Sequence, residues 1–269
     1  MKAYVLKLIY DYDKMMINKE FSILFLGAGK RVSLLKSFIR ASKELNIDLK
    51  IYSYELDVCQ PISKLAKIIV GQKWSSSNLE NDLIKVIKKY KINLLVSNSD
   101  PATLYHSKLK DIHDAAKNVS NVDTVKTCLS KAVFQEYCEL KSLPIIPLSE
   151  HKTFPCFAKP VFGSASKGTR LILSNEEKKV FVRKNKDDFI FQKFIDGIEY
   201  TVDAYISNSK EICAISPRIR IDTSGGESVI SQTINNEKIV NMSKIIIDKL
   251  QLIGPVTIQF IENNFNKEI

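Results

Sequence analysis

No two cysteines in this chain stand at the spacing of a metal or redox motif. The five that occur, Cys59, Cys128, Cys138, Cys156 and Cys213, form no CxxC and leave an odd count. With no signal peptide in view, that argues for reduced thiols in a cytoplasmic protein and against a disulfide framework. Cys156 and Cys213 stand in apolar surroundings and read as core residues. Histidine is scarce as well: His106, His113 and His151 are the three, none in HExxH or beside a cysteine pair, so a zinc centre is not indicated. No apolar run approaches the ~20 residues of a membrane-spanning helix. Runs of five or more Lys/Arg are missing too, so the net charge of +10 is spread along the chain. That distribution speaks against nucleic acid as the partner and for attraction of small anionic substrates.

What is present is the make-up of an ordinary globular protein, 45% hydrophobic and 26% charged over 269 residues, enough for one large domain or two modest ones. Residues 1–20 fit poorly with the remainder of the chain and read as an extension. Met15-Met16 offers an alternative start, and an ordinary first strand at residues 4–10 is the competing reading. From Phe21 the pattern is strand–helix–strand. Residues 21–26, 49–54, 67–70 and 93–97 read as strands. Leu34, Leu35, Phe38, Ile39 and Leu45 mark one helix, and Leu79, Leu83, Val86, Ile87 and Tyr90 another. Such alternation predicts an α/β fold with a parallel, doubly wound sheet over residues 21–123.

Gly27-Ala-Gly29 invites a dinucleotide reading, but Val32 stands where that fingerprint needs its third glycine. Asn98-Ser-Asp100-Pro101 falls at a strand's carboxyl end, where ligands bind in such sheets. It equally fits a capped turn opening a helix. A single helix is expected over residues 124–143, entered through Ser130-Lys131 and closed by Leu143-Pro144-Ile-Ile-Pro147. The turn at residues 207–210 then leads to a strand at 211–215. Residues 224–228 read as a polar loop, Ile239, Met242, Ile246 and Leu250 as a helix face, and Gly254-Pro255 as a break before a strand at 256–261.

The chemistry concentrates between Cys156 and Asp203. Lys159 interrupts an apolar strand as one inward lysine, and a buried ammonium needs an anion, either a carboxylate or a ligand phosphate. The next loop, Gly163-Ser164-Ala-Ser166-Lys167-Gly168, has backbone N–H groups able to curl around phosphate oxygens, with Lys167 as counter-charge. It lacks the GxxxxGK[ST] order of Walker A, and a solvated hairpin loop is the plain alternative. Gln192, Phe194 and Ile195 could meet a purine edge. Period-two spacing puts Glu199, Thr201 and Asp203 on one strand face. Arg218 and Arg220 share a face and could hold phosphate or carboxylate. Thr257 and Gln259 share another, and the Gln259 amide oxygen is a hard ligand.

In order, Lys-Pro-x-x-Gly-Ser-x-Ser-Lys-Gly, Gln-x-Phe-Ile-x-Gly-x-Glu-Tyr-Thr-Val-Asp, Pro-Arg-x-Arg with Gly-Gly-Glu-Ser, and Gly-Pro-Val-x-Ile-Gln-Phe resemble the ATP-grasp superfamily. The branch most similar is that of the carbamoyl-phosphate synthase large subunit and amino-acid ligases. The resemblance implies a pre-ATP-grasp domain at 21–123 and an ATP-grasp domain at 124–269, with an α+β lid at about 150–206 and part of a large subdomain at 207–269. It implies ATP bound by Lys131, Lys159, Gly163, Ser164, Ser166, Lys167 and Gly168, with Gln192, Phe194 and Ile195 at the adenine and Glu199 at the ribose. Arg218 and Arg220 would face the γ-phosphate and acyl-phosphate region, and Gln259 would be one Mg²⁺ ligand. The family continues with Glu-x-Asn-Pro-Arg, whereas this sequence stops at Lys267-Glu268-Ile269. The expectation is therefore an ATP-dependent carboxylate–amine ligase with an incomplete metal end. The alternative is an ATP-binding fragment or split half that needs a partner subunit. A homodimer is compatible with either; no nucleic acid or membrane partner is expected.

Overall fold

A computed structural model describes residues 20–150, 153–185 and 188–269. The suggested extension up to residue 19, the competing strand at residues 4–10 and His151 lie outside the described residues. The elements form two compact units. The first comprises the described residues up to Val125 with Ala204–Ala214 and Leu252–Val256. The second comprises Lys126–Asp203, Ile215–Gln251 and Thr257–Ile269.

In the first unit, strands β1 (Glu20–Leu26), β2 (Asp48–Glu55), β3 (Lys67–Val70) and β4 (Leu94–Ser97) form a sheet of order β3-β2-β1-β4. Its pairs are all parallel, with Ile23 opposite Ile51 on one side and Leu94 on the other. Helix α1 (Val32–Glu44) joins β1 to β2, α2 (Leu79–Lys89) joins β3 to β4, and α3 (Asp100–Leu109) follows β4. Side chains alternate across a strand, and β1 is buried on both faces. Ile23 and Phe25 join Leu35 and Phe38 of α1, while Leu24 and Leu26 join Leu83 and Ile87 of α2. The sheet is therefore doubly wound. Val32 packs against the α1-side core, which is the space that a dinucleotide turn's third glycine would leave open. The Asn98–Pro101 turn opens α3, with Pro101 in the first turn and Ser99 in the extended N-cap position without a side-chain cap bond. His106 is buried, its ring held neutral by desolvation and its pKa lowered to about 3.

The helix expected over residues 124–143 is two, α4 (Val122–Leu129) and α5 (Lys131–Leu140). Ser130 breaks it by taking an extended conformation and accepting a hydrogen bond at Oγ from the Val133 N–H. The second unit carries a three-stranded antiparallel sheet of order β6-β5-β7, built from β5 (Cys156–Pro160), β6 (Arg170–Ile172) and β7 (Phe189–Lys193), with helix α6 (Asn175–Lys184). Cys156, Ala158, Ile172 and Phe181 form its core, so the Cys156 prediction holds. Cys213 is half-buried against the first unit's core.

Strands β8 (Gly197–Ile206), β9 (Ile212–Ser224), β10 (Glu227–Thr233) and β11 (Gly254–Asn263) form a third sheet, of order β10-β9-β8-β11; helix α7 (Glu237–Leu250) precedes β11. Two expectations change here. Residues 224–228 are the tight turn of the antiparallel β9–β10 hairpin rather than a loose loop, with Glu227 opposite Ser224. Gly254-Pro255 begins β11 instead of preceding it, because a proline is tolerated at the start of an edge strand.

Gly254 has φ +81°, and a Cβ there would lie 2.1 Å from the Asn118 carbonyl oxygen. Both strain and overlap oppose any side chain. Gly254→Ala is expected to lower the unfolding free energy by about 2 kcal/mol or more, measured by urea denaturation.

Candidate functional site

The side chains of interest lie in the second unit. Along β5, Cys156, Ala158 and Pro160 are buried and Phe157 and Lys159 only partly so. The alternation thus turns Lys159 away from the apolar core, not into it as expected. Its ammonium is nevertheless largely desolvated, lies 5.6 Å from the Phe157 ring centroid, and donates to Gln192 Oε1 at 2.7 Å. A neutral amide therefore stands where the sequence suggested an anion. Burial first, then the Lys131 charge, hold the Lys159 ammonium below the ordinary lysine range, with Glu199 pulling it back up.

Gln192 is buried between two partners. Because its oxygen faces an ammonium, its Nε2 must be the outward donor, and it donates to Gln135 Oε1 at 2.9 Å. Gln135 Nε2 in turn donates to Glu139 Oε1 at 2.8 Å. Two amides thus run head to tail from the Lys159 ammonium to the Glu139 carboxylate. Gln135 is fully enclosed on α5, and both amides also donate to the Ile146 carbonyl. No short-range spacing announces this relay, since Gln135 and Gln192 stand 57 residues apart and meet only in the folded chain.

Lys131, first residue of α5, donates from Nζ to the Gly163 carbonyl at 2.7 Å, while its backbone N–H bonds to the Val161 carbonyl. The start of α5 is thereby attached to the loop after β5. In that loop Gly163, Ala165, Ser166 and Gly168 all have positive φ, at 109°, 58°, 53° and 74°. Such values in non-glycine residues persist only where the surroundings hold them, and they cluster at functional sites. Pro160, Phe162, Gly163, Ser164, Ala165, Lys167 and Gly168 line a cavity of about 440 Å³.

On β7, Gln192 belongs to the relay. The backbone beside it pairs with residues 147–149, Lys193 N–H to the Pro147 carbonyl and Ser149 N–H to the Phe191 carbonyl. Phe194 is exposed and Ile195 half-buried, just beyond the strand. Along β8, Glu199 and Asp203 share a face as expected, but Thr201 between them is buried. Each acid meets one of the arginines of β9. Arg220 Nη1 lies 3.0 Å from Glu199, and Arg218 Nε lies 2.9 Å from Asp203, which also accepts from Thr257 Oγ1 at 3.0 Å. The proposed phosphate contacts are therefore already engaged by protein carboxylates. Arg220 is the more confined of the two, with a side chain 8% exposed against 50% for Glu199.

This donor set fits a polyphosphate. The Lys159 ammonium is desolvated and meets a neutral amide, which leaves its charge available to an anion. The donor set does not by itself fit a divalent cation. Gln259 lies exposed on β11, and among the described residues no three His, Cys, Asp or Glu side chains converge to hold a metal.

The family model of the ATP-grasp domain matches residues 146–269. The match covers a little under half of the chain and marks that part as similar to an ATP-grasp domain. No curated protein sequence matches the chain. Among solved structures it is similar to the L-amino acid ligase from Bacillus licheniformis, at 14% identity and TM-score 0.70, covering 93% of this chain and 65% of that one. An ADP complex of N5-carboxyaminoimidazole synthetase from Staphylococcus aureus matches at 14% identity and TM-score 0.70, over 95% and 71%. Rhizobium etli pyruvate carboxylase matches at 13% identity and TM-score 0.70, over 93% of this chain but 26% of its own. At such identities the likeness is one of fold: an α/β N-terminal domain followed by an ATP-grasp domain.

The Lys159 pKa also fixes a sign. Unfolded, the group titrates near 10.5; folded, it titrates lower. Between those values the unfolded chain binds more protons, so this group's contribution to stability rises with pH. Lys159→Met is expected to remove that rising component between about pH 7 and about pH 10. Urea unfolding at both pH values measures it, and an unchanged slope would show that Lys159 is not the source.

Proposed function

We propose that this chain forms the nucleotide-binding part of an ATP-dependent carboxylate–amine ligase. The observation that carries the reading is the Lys159 ammonium: desolvated, solvated by an amide instead of a carboxylate, and near a second ammonium. A desolvated ammonium held by a neutral amide gains most from an anion of several charges. The ATP-grasp match over residues 146–269 supports the same reading.

In this reading Lys131 and Lys159 take the phosphates. Gly163, Ser164, Ser166, Lys167 and Gly168 cover them with backbone and side-chain donors. The backbone around Gln192, Phe194 and Ile195 meets the adenine, and Glu199 accepts from the ribose hydroxyls. Arg218 and Arg220 lie toward the transferred phosphoryl group. A substrate carboxylate oxygen attacks the γ-phosphorus and the bond to the β-phosphate oxygen breaks, giving an acyl phosphate and ADP. An amine then attacks the acyl carbon, phosphate leaves, and the amine's proton passes to solvent or a base. The chain's contribution is charge neutralisation, positioning and exclusion of water by the loop. Gln259 would offer one oxygen to Mg²⁺. The order of motifs, similar to the carbamoyl-phosphate synthase branch, suggests small carboxylates or bicarbonate with small amines as substrates. The unpaired thiols suit a cytoplasmic setting.

A non-hydrolysable ATP analogue at about 100 times its Kd is expected to stabilise the protein by about 2.7 kcal/mol in thermal unfolding. Lys159→Ala should abolish the shift, and NAD(P) should produce none. Full stabilisation of Lys159→Ala by the analogue would refute the site assignment.

A further inference from the structure

The β9–β10 turn contains two adjacent glycines in very different surroundings. Gly225, with φ +56°, has nothing within 4 Å of where a Cβ would stand. Gly226, with φ +76°, would place that atom 2.6 Å from the Ala165 carbonyl carbon, 2.6 Å from Ser166 Oγ and 2.7 Å from the Ser166 nitrogen. Both need the left-handed backbone of a tight hairpin. Only Gly226 needs the missing side chain, because the 163–168 loop lies against it.

The contact is anchored from beneath. Arg220 Nη2 donates to the Gly226 carbonyl at 2.6 Å, while Nη1 pairs with Glu199 at 3.0 Å. The same guanidinium buries its Nε with no hydrogen-bond partner among the described residues. Giving up a donor is costly, so the fork is held by its two other ends. Loop, hairpin tip, Arg220 and Glu199 thus form one connected array.

We propose that the β9–β10 turn is the dock on which the 163–168 loop closes. Gly226 and Arg220 are its positioning residues, coupling the loop's position to the carboxylate of Glu199. Arg220 on this account acts through Glu199 and the turn. The docking itself stands on geometry alone. Its consequence for a nucleotide rests on the reading above: a ligand whose hydroxyls engage Glu199 shifts the loop, and the docked loop shifts that ligand's affinity by the same factor.

Trypsin cleavage after Lys167, followed by mass spectrometry on the full chain without nucleotide, tests the dock. Gly226→Ala is expected to speed cleavage by about tenfold, and Arg220→Gln by a similar factor. Gly225→Ala, which carries the same backbone strain without the contact, should stay within about twofold of wild type. Wild-type rates in both Gly226→Ala and Arg220→Gln would overturn the proposal, and so would equal acceleration by Gly225→Ala. In a second arm, the ATP analogue should slow cleavage in wild type and much less in Arg220→Gln. Equal protection of the two would overturn the coupling. If the dock holds but the analogue neither protects nor stabilises wild type, it is the nucleotide reading that fails.

Discussion

The hydrogen bond from Lys159 to Gln192 Oε1, 2.7 Å long, sets the character of the second unit. A desolvated ammonium is ordinarily neutralised by a carboxylate. Here the partner is an amide, and the nearest compensating charge along the relay is Glu139, two amides away. That arrangement orients the lysine without cancelling its charge. A direct ion pair would have stabilised the protein more and left less attraction for a ligand anion.

The same logic separates the roles of the cations. The arginines of β9 are spoken for by Asp203 and Glu199, so they organise the protein surface before any ligand arrives. Lys159 is less fully compensated, since it donates to a neutral amide. Arginine's fork suits the first task because it can bind a carboxylate and a carbonyl at once, whereas a lysine's point charge suits the second. In the first unit His106 is buried and neutral, and the central strand β1 is enclosed on both faces.

Much of the fold was legible in the residues. Buried parallel strands read as short continuous apolar runs, and β1 to β4 fell within a residue or two of expectation. Helices α1 and α2 announced themselves by their apolar spacing. What escaped were elements without a strong period. The short β6 carries only three residues, α6 is mostly charged, and β10 is polar enough to pass for a loop. The Ser130 break also escaped, because a cap competes with helix propensity only once the turn after β5 supplies Val161 as a partner for Lys131.

Sequence alone determined the α/β order, the run of motifs in the second half, and which residue types could meet a nucleotide, because these depend on local period and spacing. Tertiary structure decided which of those residues are committed to one another. Glu199 with Arg220, Asp203 with Arg218 and Gly226 with the 163–168 loop are all cross-strand or loop–turn contacts. It also decided that Lys159 faces an amide, since Gln192 lies 33 residues away and reaches it only across the β5–β7 pairing. Charge compensation in a folded protein is a property of distance in space, and separation along the chain does not encode it.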